Sequence, residues 1–558
     1  MFEKLGKFIV KRSKVVLLTF IITTIIAGAV GSLSFGRLDS GGYSDLNSDS
    51  AKAAKYVVDV FGAEEPVVVM VVDSASSTID DPAVASTAIE IEKKIQNHTG
   101  VSKTYSYWST GGSPTMKSKD GKAGFILVYS DIDAFDWDAL SAVGASLQEE
   151  FDGKYKNVQI YASGAGVITY AINHKIEKDL ILAESIAIPL TFLLLVFVFG
   201  ALVASATPLF VGVTAILGSF FIIYILTLFT NVSVFALNLI TGLGLGLGID
   251  YALLMVNRFR EELHNGHSVE ESVVTTVATA GKTVFYSGLT VLVTMASLLF
   301  FPLEFLKSFG YAGVAVITFA VIGAAIALPA LLAVLGEKVD KGVVRKSAIT
   351  PKEDGRWAHT ARNVMQRPVP VVLACLVVLG ILAAPVTNIS FAQVDSRVLP
   401  ASNPAAIAAE VVDSRFDGLI GSPIEVVVPK GVGRESEINT FLEKVKNVEG
   451  IVRVGAIETY KQDIRVQVIS SVPSRSTDSM KVIHDIRDLE QPSGTLIGGA
   501  AADFTDSQDG IARTLPLALG WIALSVLILI FIFTGSIILP IKAVILNALS
   551  LVATLGAI

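Results

Sequence analysis

TGLGLGLGIDYALLMVNRFREEL, residues 241–263, forms the cytoplasmic half of an apolar run that begins near Val232, and this run is long enough to predict a membrane-spanning helix. Its apolar part contains one acidic residue, Asp250. A carboxylate near the middle of a bilayer is energetically costly. An acid at this position is therefore a candidate functional residue.

Small residues recur at helical spacing around this acid. Two rows repeat at every fourth position, namely Gly242, Gly246 and Asp250, and beside them Gly244, Gly248 and Ala252. Residues four apart share one helix face, and rows of glycine let a neighbouring helix approach closely. We therefore expect Asp250 to lie in a helix–helix contact, away from lipid.

The composition indicates a protein that crosses the membrane many times. Of its 558 residues, 52% are hydrophobic and 17% charged, and the mean hydropathy of +0.61 is too apolar for a soluble protein of this length. The net charge of −7 gives no reason to expect a nucleic-acid partner. The one cysteine, Cys375, lies in an apolar segment, which excludes a disulfide framework and a cysteine-based metal site.

Apolar runs divide the chain into spans, two large polar regions and a linker. The first run, 15–35, follows a basic cluster and resembles a signal peptide, but it is about twenty residues long, and we interpret it as an uncleaved span. The predicted divisions are 1–36 (N-terminus and first span), 37–178 (first domain), 179–336 (second to sixth spans), 337–368 (cytoplasmic linker), 369–388 (seventh span), 389–511 (second domain) and 512–558 (eighth span and incomplete ninth).

Both polar regions predict folded domains outside the membrane. In the first, 66–74 and 123–130 have the pattern of strands, and 81–97 has apolar residues at helical spacing. This alternation predicts a compact α+β or split-βαβ domain.

The two halves of the chain align locally, which indicates an internal duplication. The matches are Asp59 with Asp413, Phe61 with Phe416 and Pro66 with Pro423, at offsets of 354, 355 and 357 residues. A repeated unit of span, domain and span bundle is a pattern of secondary transporters.

Short polar breaks separate the spans that lie between the two domains. Thr207 and Pro208 are expected to mark the turn between the second and third spans. Residues 258–282 mix charged and apolar side chains, which predicts an amphipathic helix along the membrane surface. His264 and His267 lie on it; we expect them to be solvated, and a metal site is the alternative.

Counting spans places the basic N-terminal cluster, the predicted surface helix and the basic linker on one side of the membrane. The positive-inside rule makes that side the cytoplasm, so the N-terminus is expected there and both domains outside.

These features resemble the resistance-nodulation-division (RND) superfamily and, within it, the mycobacterial membrane protein large (MmpL) family. The resemblance is carried by SVFALNLITGLGLGLGIDYALLMVNRFREEL (233–263), YSGLTVLVTMASL (286–298), LTFLLLVFVFGALVASATPL (190–209) and LPIKAVILNALSLVATLGAI (539–558). It implies porter-like outer domains, an RND-type repeat, and twelve spans, of which nine are expected here. The tenth span of that family usually carries a second Asp-Tyr pair facing the first.

The resemblance also implies a function. Members of the family export lipids or other hydrophobic molecules from the bacterial plasma membrane, driven by the proton-motive force. An Asp-Tyr pair in the fourth span relays the protons, and the matching residues are Asp250 and Tyr251. The expected partners are membrane lipids and a hydrophobic substrate, with a homo-oligomer or accessory envelope proteins as further possibilities. No cofactor other than the coupling proton is expected.

Several alternatives stay open from the sequence. Asp250 could serve helix packing alone, and Ser287 and Thr290 could either support it or pack closely in the fifth span. Asp179 and Glu184 are expected to be solvated at the outer end of the second span. The chain could also export drugs, aid protein export, or act as a non-pumping lipid sensor or scaffold. No catalytic set and no P-loop motif is present in the sequence, so we expect neither an enzyme nor an ATPase.

Overall fold

The computed structural model describes residues 1–39, 41–62, 66–74, 76–132, 136–345, 355–388, 395–416 and 423–557. Residues 346–354 of the predicted linker lie outside this set. Within the described ranges, nine helices are long and apolar enough to cross a membrane. These first to ninth spans are Ser13–Arg37, Ala165–Phe199, Leu202–Leu226, Ala236–His264, Val269–Phe300, Glu304–Asp340, Pro368–Val386, Ala500–Thr534 and Ile538–Ala557. The prediction of a polytopic helical membrane protein is confirmed.

The secondary structure alternates between long helices and two compact sheet domains. The α-helices are α1 (Phe2–Lys11), α2 (Ser13–Gly31), α3 (Asp49–Tyr56), α4 (Pro82–Gln96), α5 (Trp137–Phe151), α6 (Ala165–Phe199), α7 (Leu202–Leu226), α8 (Ala236–His264), α9 (Val269–Thr276), α10 (Lys282–Ala296), α11 (Glu304–Ile322), α12 (Leu328–Leu335), α13 (Arg356–Gln366), α14 (Pro368–Ala383), α15 (Pro404–Arg415), α16 (Glu435–Lys446), α17 (Thr477–Arg487), α18 (Ala500–Thr534) and α19 (Ile538–Ala557). The strands are β1 (Val68–Asp73), β2 (Lys103–Ser106), β3 (Ala123–Tyr129), β4 (Gly153–Tyr155), β5 (Val158–Ser163), β6 (Ile424–Val428), β7 (Ile451–Val454), β8 (Glu458–Tyr460), β9 (Asp463–Ser470) and β10 (Leu496–Gly498).

Each sheet is antiparallel and has five strands. The first has the order β2-β3-β1-β5-β4, and the second has the order β10-β6-β9-β7 with β8 paired to β9. In the first sheet, α4 follows β1, and α5 precedes β4 and β5. In the second sheet, α16 follows β6, and α17 precedes β10. The α+β character expected of both domains agrees with this arrangement.

The predicted domain boundaries differ from the structure because the two halves exchange a helix. α3 packs on β6 and β10 of the second sheet, where a Cβ on Gly498 would lie 2.8 Å from the Cβ of Ala53. The Tyr56 hydroxyl donates to Asp463 at 2.9 Å. In return, α15 packs on β5 of the first sheet. Residues 37–178 and 389–511 are therefore not two independent contiguous domains.

This exchange explains the continuous apolar run of β1. All six residues of the strand are buried. Val68, Met70 and Val72 share a core with residues of α4 and α5 on one face of the sheet. On the other face, Val69 and Val71 share a core with Phe416. Phe416 stacks on Phe125 with ring centroids 3.8 Å apart. A strand covered on both faces needs no polar alternation.

The turn between the second and third spans lies at Gly200, so the prediction at Thr207 and Pro208 is wrong. Gly200 adopts the left-handed backbone (φ +71) that ends many helices, and α7 begins two residues later. Pro208 lies inside α7 and has no N–H to donate to the carbonyl of Ala204. The Thr207 hydroxyl donates to that carbonyl instead, at 2.8 Å, and this bond compensates for the loss.

The predicted surface helix over 258–282 is also wrong. α8 continues to His264, and Gly266 (φ +88) interrupts the chain. Ser268 and Glu271 then form a capping box that starts α9 and the fifth span. The charged residues therefore occupy the ends of two spans.

Candidate functional site

The glycine rows of α8 lie on two faces with different surroundings. Gly244 and Gly248 are buried against neighbouring helices. A Cβ on Gly248 would lie 2.7 Å from the Cα of Gly212 in α7, and one on Gly244 would lie 2.6 Å from the side chain of Ile216. Any larger residue there would push α7 away from α8.

The face that carries Asp250 is open among the described residues. A Cβ on Gly242 or on Gly246 would meet nothing within 4 Å, and Asp250 itself is exposed. The expectation that Asp250 lies in a packed seam is therefore not met by the part of the chain that the structure describes. The packed seam belongs to the adjacent row, which ends in buried Ala252.

Tyr251 points in a different direction from Asp250, because consecutive helix residues project about 100° apart. Its side chain is only 4% exposed, and its hydroxyl lies 3.6 Å from the Cβ position of Gly288 in α10. Ser287 is the polar neighbour of this hydroxyl, although the two form no hydrogen bond of normal geometry. Thr290 donates to the carbonyl of Tyr286 at 2.8 Å and so bonds within its own helix.

A buried ion pair that the sequence analysis missed joins three spans at the end of α8. Arg260 is 5% exposed; its Nε donates to Asp340 at 2.7 Å and its Nη1 donates to the carbonyl of Phe199 at 3.0 Å. It thereby ties the fourth span to the end of the second and the end of the sixth. Arg260 continues the packed row of Gly244, Gly248 and Ala252 at every fourth position, but Arg258 continues the other row in the same way, so the spacing alone does not single out Arg260.

The two histidines near this end contact different carboxylates. His264 lies 2.9 Å from Asp340, and His267 lies 2.9 Å from the buried Glu262, which also pairs with Arg258. In the described ranges, no group of three or more His, Cys, Asp or Glu side chains is arranged to hold a metal ion.

The two acids near the outer end of the second span differ. Asp179 pairs with Lys175 and is exposed. Glu184 was expected to be solvated, but its Oε1 is buried and has no hydrogen-bond partner among the described residues.

An ion-pair cluster fastens α15 to the first sheet domain. Arg415 Nη1 donates to Asp73 at 2.6 Å and its Nη2 donates to Asp120 at 2.8 Å. Burial raises the pKa of Asp120, but hydrogen bonds from Ser118, from the backbone of Lys122 and from Arg415 outweigh it and lower that pKa to about 2. Asp120 is therefore ionised at neutral pH.

Comparison with known proteins relates this architecture to a family of membrane proteins. A family model described as "MMPL family" matches residues 43–371. A membrane protein of Streptomyces coelicolor is 31% identical over 563 residues, which cover 100% of this chain and 77% of that protein. The trehalose monomycolate exporter MmpL3 of Mycobacterium tuberculosis is 28% identical, over 98% of this chain. The mycolic acid-containing lipids exporter MmpL11 of Mycolicibacterium smegmatis is 26% identical, over 75% of this chain.

These relatives are longer than the chain described in this structure. The matched region covers 63% of the M. tuberculosis MmpL3 and 45% of the M. smegmatis MmpL11.

Proposed function

The chain belongs to the MMPL family, and from this premise we propose that it exports lipids or other hydrophobic molecules from the bacterial plasma membrane, driven by protons. Two of its relatives are named as exporters, one of trehalose monomycolate and the other of mycolic acid-containing lipids. Nine apolar helices in the described residues supply part of the span bundle expected of such a transporter. The hydrophobic substrate would come from the membrane in which the bundle lies.

The observation that carries the proposal is the position of Asp250 on the open face of α8. Gly242 and Gly246 extend that face without side chains, so a second helix can come close to the carboxylate. In the family that the sequence resembles, this helix is the tenth span and carries the second Asp-Tyr pair. We propose that it covers the open face.

Protonation of Asp250 would change the packing of this face. A charged carboxylate between two apolar helices is costly, whereas the neutral acid is tolerated, so uptake of a proton favours close packing and release favours separation. One proton that crosses the membrane supplies about 2.3 kcal/mol per 100 mV, which is enough to bias two conformations. Tyr251, whose buried hydroxyl has no hydrogen-bond partner among the described residues, is proposed to pass the proton on, with Ser287 as a polar neighbour.

The ion pair at the end of α8 would couple this change in packing to two other spans. Arg260 holds the fourth span to the ends of the second and sixth spans, so these helices would move together. We propose that the N-terminus is cytoplasmic and that the two sheet domains lie outside, where they receive the substrate.

The test compares Asp250→Asn with the wild type in a strain that lacks the gene, each complemented with the whole gene at matched membrane abundance. The readout is the surface lipid profile. We expect Asp250→Asn to abolish export of one lipid class and Tyr251→Phe to reduce it. Asp179→Asn is the matched control, because this exposed acid lies on the second span and, in the described ranges, pairs only with Lys175, four residues before it.

The outcomes separate the proposal from its alternatives. If Asp250→Asn leaves the lipid profile unchanged while drug resistance falls, the substrate assignment is wrong and efflux is favoured. If neither changes, the proton relay is refuted, and the chain acts as a sensor or scaffold.

A further inference from the structure

We propose that the exposed face of α1 is a binding surface for the headgroups of anionic phospholipids. The surface is formed by Lys4, Lys7, Lys11 and Phe8 of α1 and continues into Arg12 and Lys14 at the start of the first span. This assignment is independent of proton coupling and of the exported substrate.

The position of α1 places this face at the level of the headgroups. The opposite face is buried in the protein: Ile9 is 0% exposed, and a Cβ on Gly6 would lie 3.0 Å from the Cα of Val274 in α9. Phe2 packs edge to face on Phe285 at the start of α10. α1 also contacts α12, so it lies against the side of the bundle where the fifth span begins and the sixth ends. Its free face consequently points outward from the bundle.

The turn into the first span fixes the depth of the helix. The chain breaks at Arg12 (φ −128, ψ 29), and the apolar helix α2 starts at the next residue. Cations immediately before an apolar span lie where the hydrocarbon ends and the headgroups begin.

The charge of the free face matches an anionic surface. Lys4, Lys7, Lys11, Arg12 and Lys14 are all exposed, and Glu3, which pairs with Lys7 at 2.6 Å, is the one acid of the helix. In the described ranges the other four cations have no carboxylate partner. Phe8 is 53% exposed between the lysines, and an aromatic ring among cations is typical of helices that rest in the interface.

The internal repeat indicates that the architecture does not require lysine at three of these positions. α13 precedes the seventh span as α1 precedes the first, and it too ends at an arginine whose backbone is neither helical nor extended, Arg367 (φ −132, ψ 59). Arg367 follows Arg12 by 355 residues, which is the offset that also relates Phe61 and Phe416. At this offset Lys4, Lys11 and Lys14 correspond to His359, Gln366 and Val369, whereas Lys7 corresponds to another cation, Arg362. The shared arginine serves the turn, whereas the three lysines are specific to α1.

A purely topological role is the competing explanation. Basic residues before a first span orient it during insertion, and that role ends once the protein is folded. A lipid-binding surface acts in the folded protein. Binding by purified, folded protein therefore distinguishes the two.

The experiment measures phospholipid binding to the purified chain by native mass spectrometry, with phosphatidylglycerol and phosphatidylcholine titrated separately at low salt. Near a surface, each lysine contributes about fivefold to binding of an anionic lipid, so Lys4→Gln/Lys11→Gln/Lys14→Gln should weaken phosphatidylglycerol binding on the order of 100-fold. Binding of phosphatidylcholine should not change. The corresponding Lys→Arg triple variant should bind like the wild type.

Two controls make the result decisive. Lys93→Gln/Lys154→Gln/Lys446→Gln removes the same charge from exposed lysines of the sheet domains and should leave binding unchanged. Inorganic phosphate at equal concentration should not compete, because the surface needs a lipid held at membrane depth. The proposal is overturned if the α1 triple variant binds phosphatidylglycerol normally, if the control variant loses as much, or if phosphate displaces the lipid.

Discussion

Replacing Phe416 by alanine should loosen the first sheet domain, although this residue lies 287 positions after the end of β3 in the sequence. Phe416 is 1% exposed and stacks on Phe125 at 3.8 Å, with the rings inclined by 17°. It closes the core that Val69 and Val71 form on the outer face of β1. No residue of the second sheet belongs to this core.

The size of the effect follows from what the ring buries. Truncation of a fully buried phenylalanine to alanine costs about 3 to 5 kcal/mol through lost transfer energy and the cavity that remains. Arg415 still holds Asp73 and Asp120, so the end of α15 stays docked and the lower figure is appropriate. A loss of about 3 kcal/mol raises the population of the opened domain by about two orders of magnitude.

Hydrogen exchange measured by mass spectrometry tests this prediction directly. In Phe416→Ala, the protected amides of β1 and β3 should exchange about 100-fold faster, and those of β6 and β9 should keep their wild-type rates. The matched control is Phe441→Ala, because Phe441 is also 1% exposed but lies in the core of the second sheet. That control should accelerate β6 and β9 only.

The reasoning would be refuted if both substitutions loosened the second sheet and left the first intact. Such a result would mean that each polar region folds as a contiguous domain and that the exchange of α3 and α15 is absent in solution.

Two further predictions concern the span bundle of the 558-residue chain. Gly248→Leu should cost about 3 kcal/mol or more, because its side chain would enter the backbone of Gly212. Gly246→Leu faces open space in this chain and should shift its stability by less than about 0.5 kcal/mol. Thermal unfolding of the two variants in lipid nanodiscs compares them, and equal losses would contradict the assignment of the two faces. Arg260→Met should lower the free energy of unfolding by about 3 kcal/mol, because Asp340 loses the guanidinium that it pairs with. Adding Asp340→Leu should recover part of this loss. Strictly additive effects in this double-mutant cycle would show that the pair is not coupled.

The sequence predicts those parts of the fold that depend on local patterns. Apolar runs of sufficient length locate the spans, and strand and helix periodicity locate β1, β3 and α4. The prediction of a turn failed where the sequence pattern does not show a compensating contact. Pro208 stays helical because the Thr207 hydroxyl replaces the missing hydrogen-bond donor. Gly266 and the capping box at Ser268 carried a readable signal for the break before the fifth span.

Long-range contacts could not be predicted from one sequence. Nothing in the residues around Phe416 indicates that its partner is Phe125, because that pairing depends on how the two halves cross. The two glycine rows of α8 have the same spacing, so the sequence cannot tell which one is packed. In the structure the row of Gly244 and Gly248 is packed, and the row of Gly242 and Gly246 is open. The buried role of Arg260 depends on Asp340, 80 residues later.

The exchange of α3 and α15 also sets an order for biosynthesis. When β3 has left the ribosome, the core side of β1 that faces Phe416 is still bare, and the covering residue follows roughly 290 residues later. At synthesis rates of about 5 to 20 residues per second, this apolar surface waits roughly 15 to 60 s outside the membrane. During that interval the first sheet is a target for proteases and for chaperones that hold unfinished chains. The second sheet has no such delay, because α3 precedes it in the chain, so the first domain is completed only when the second half of the chain has been made.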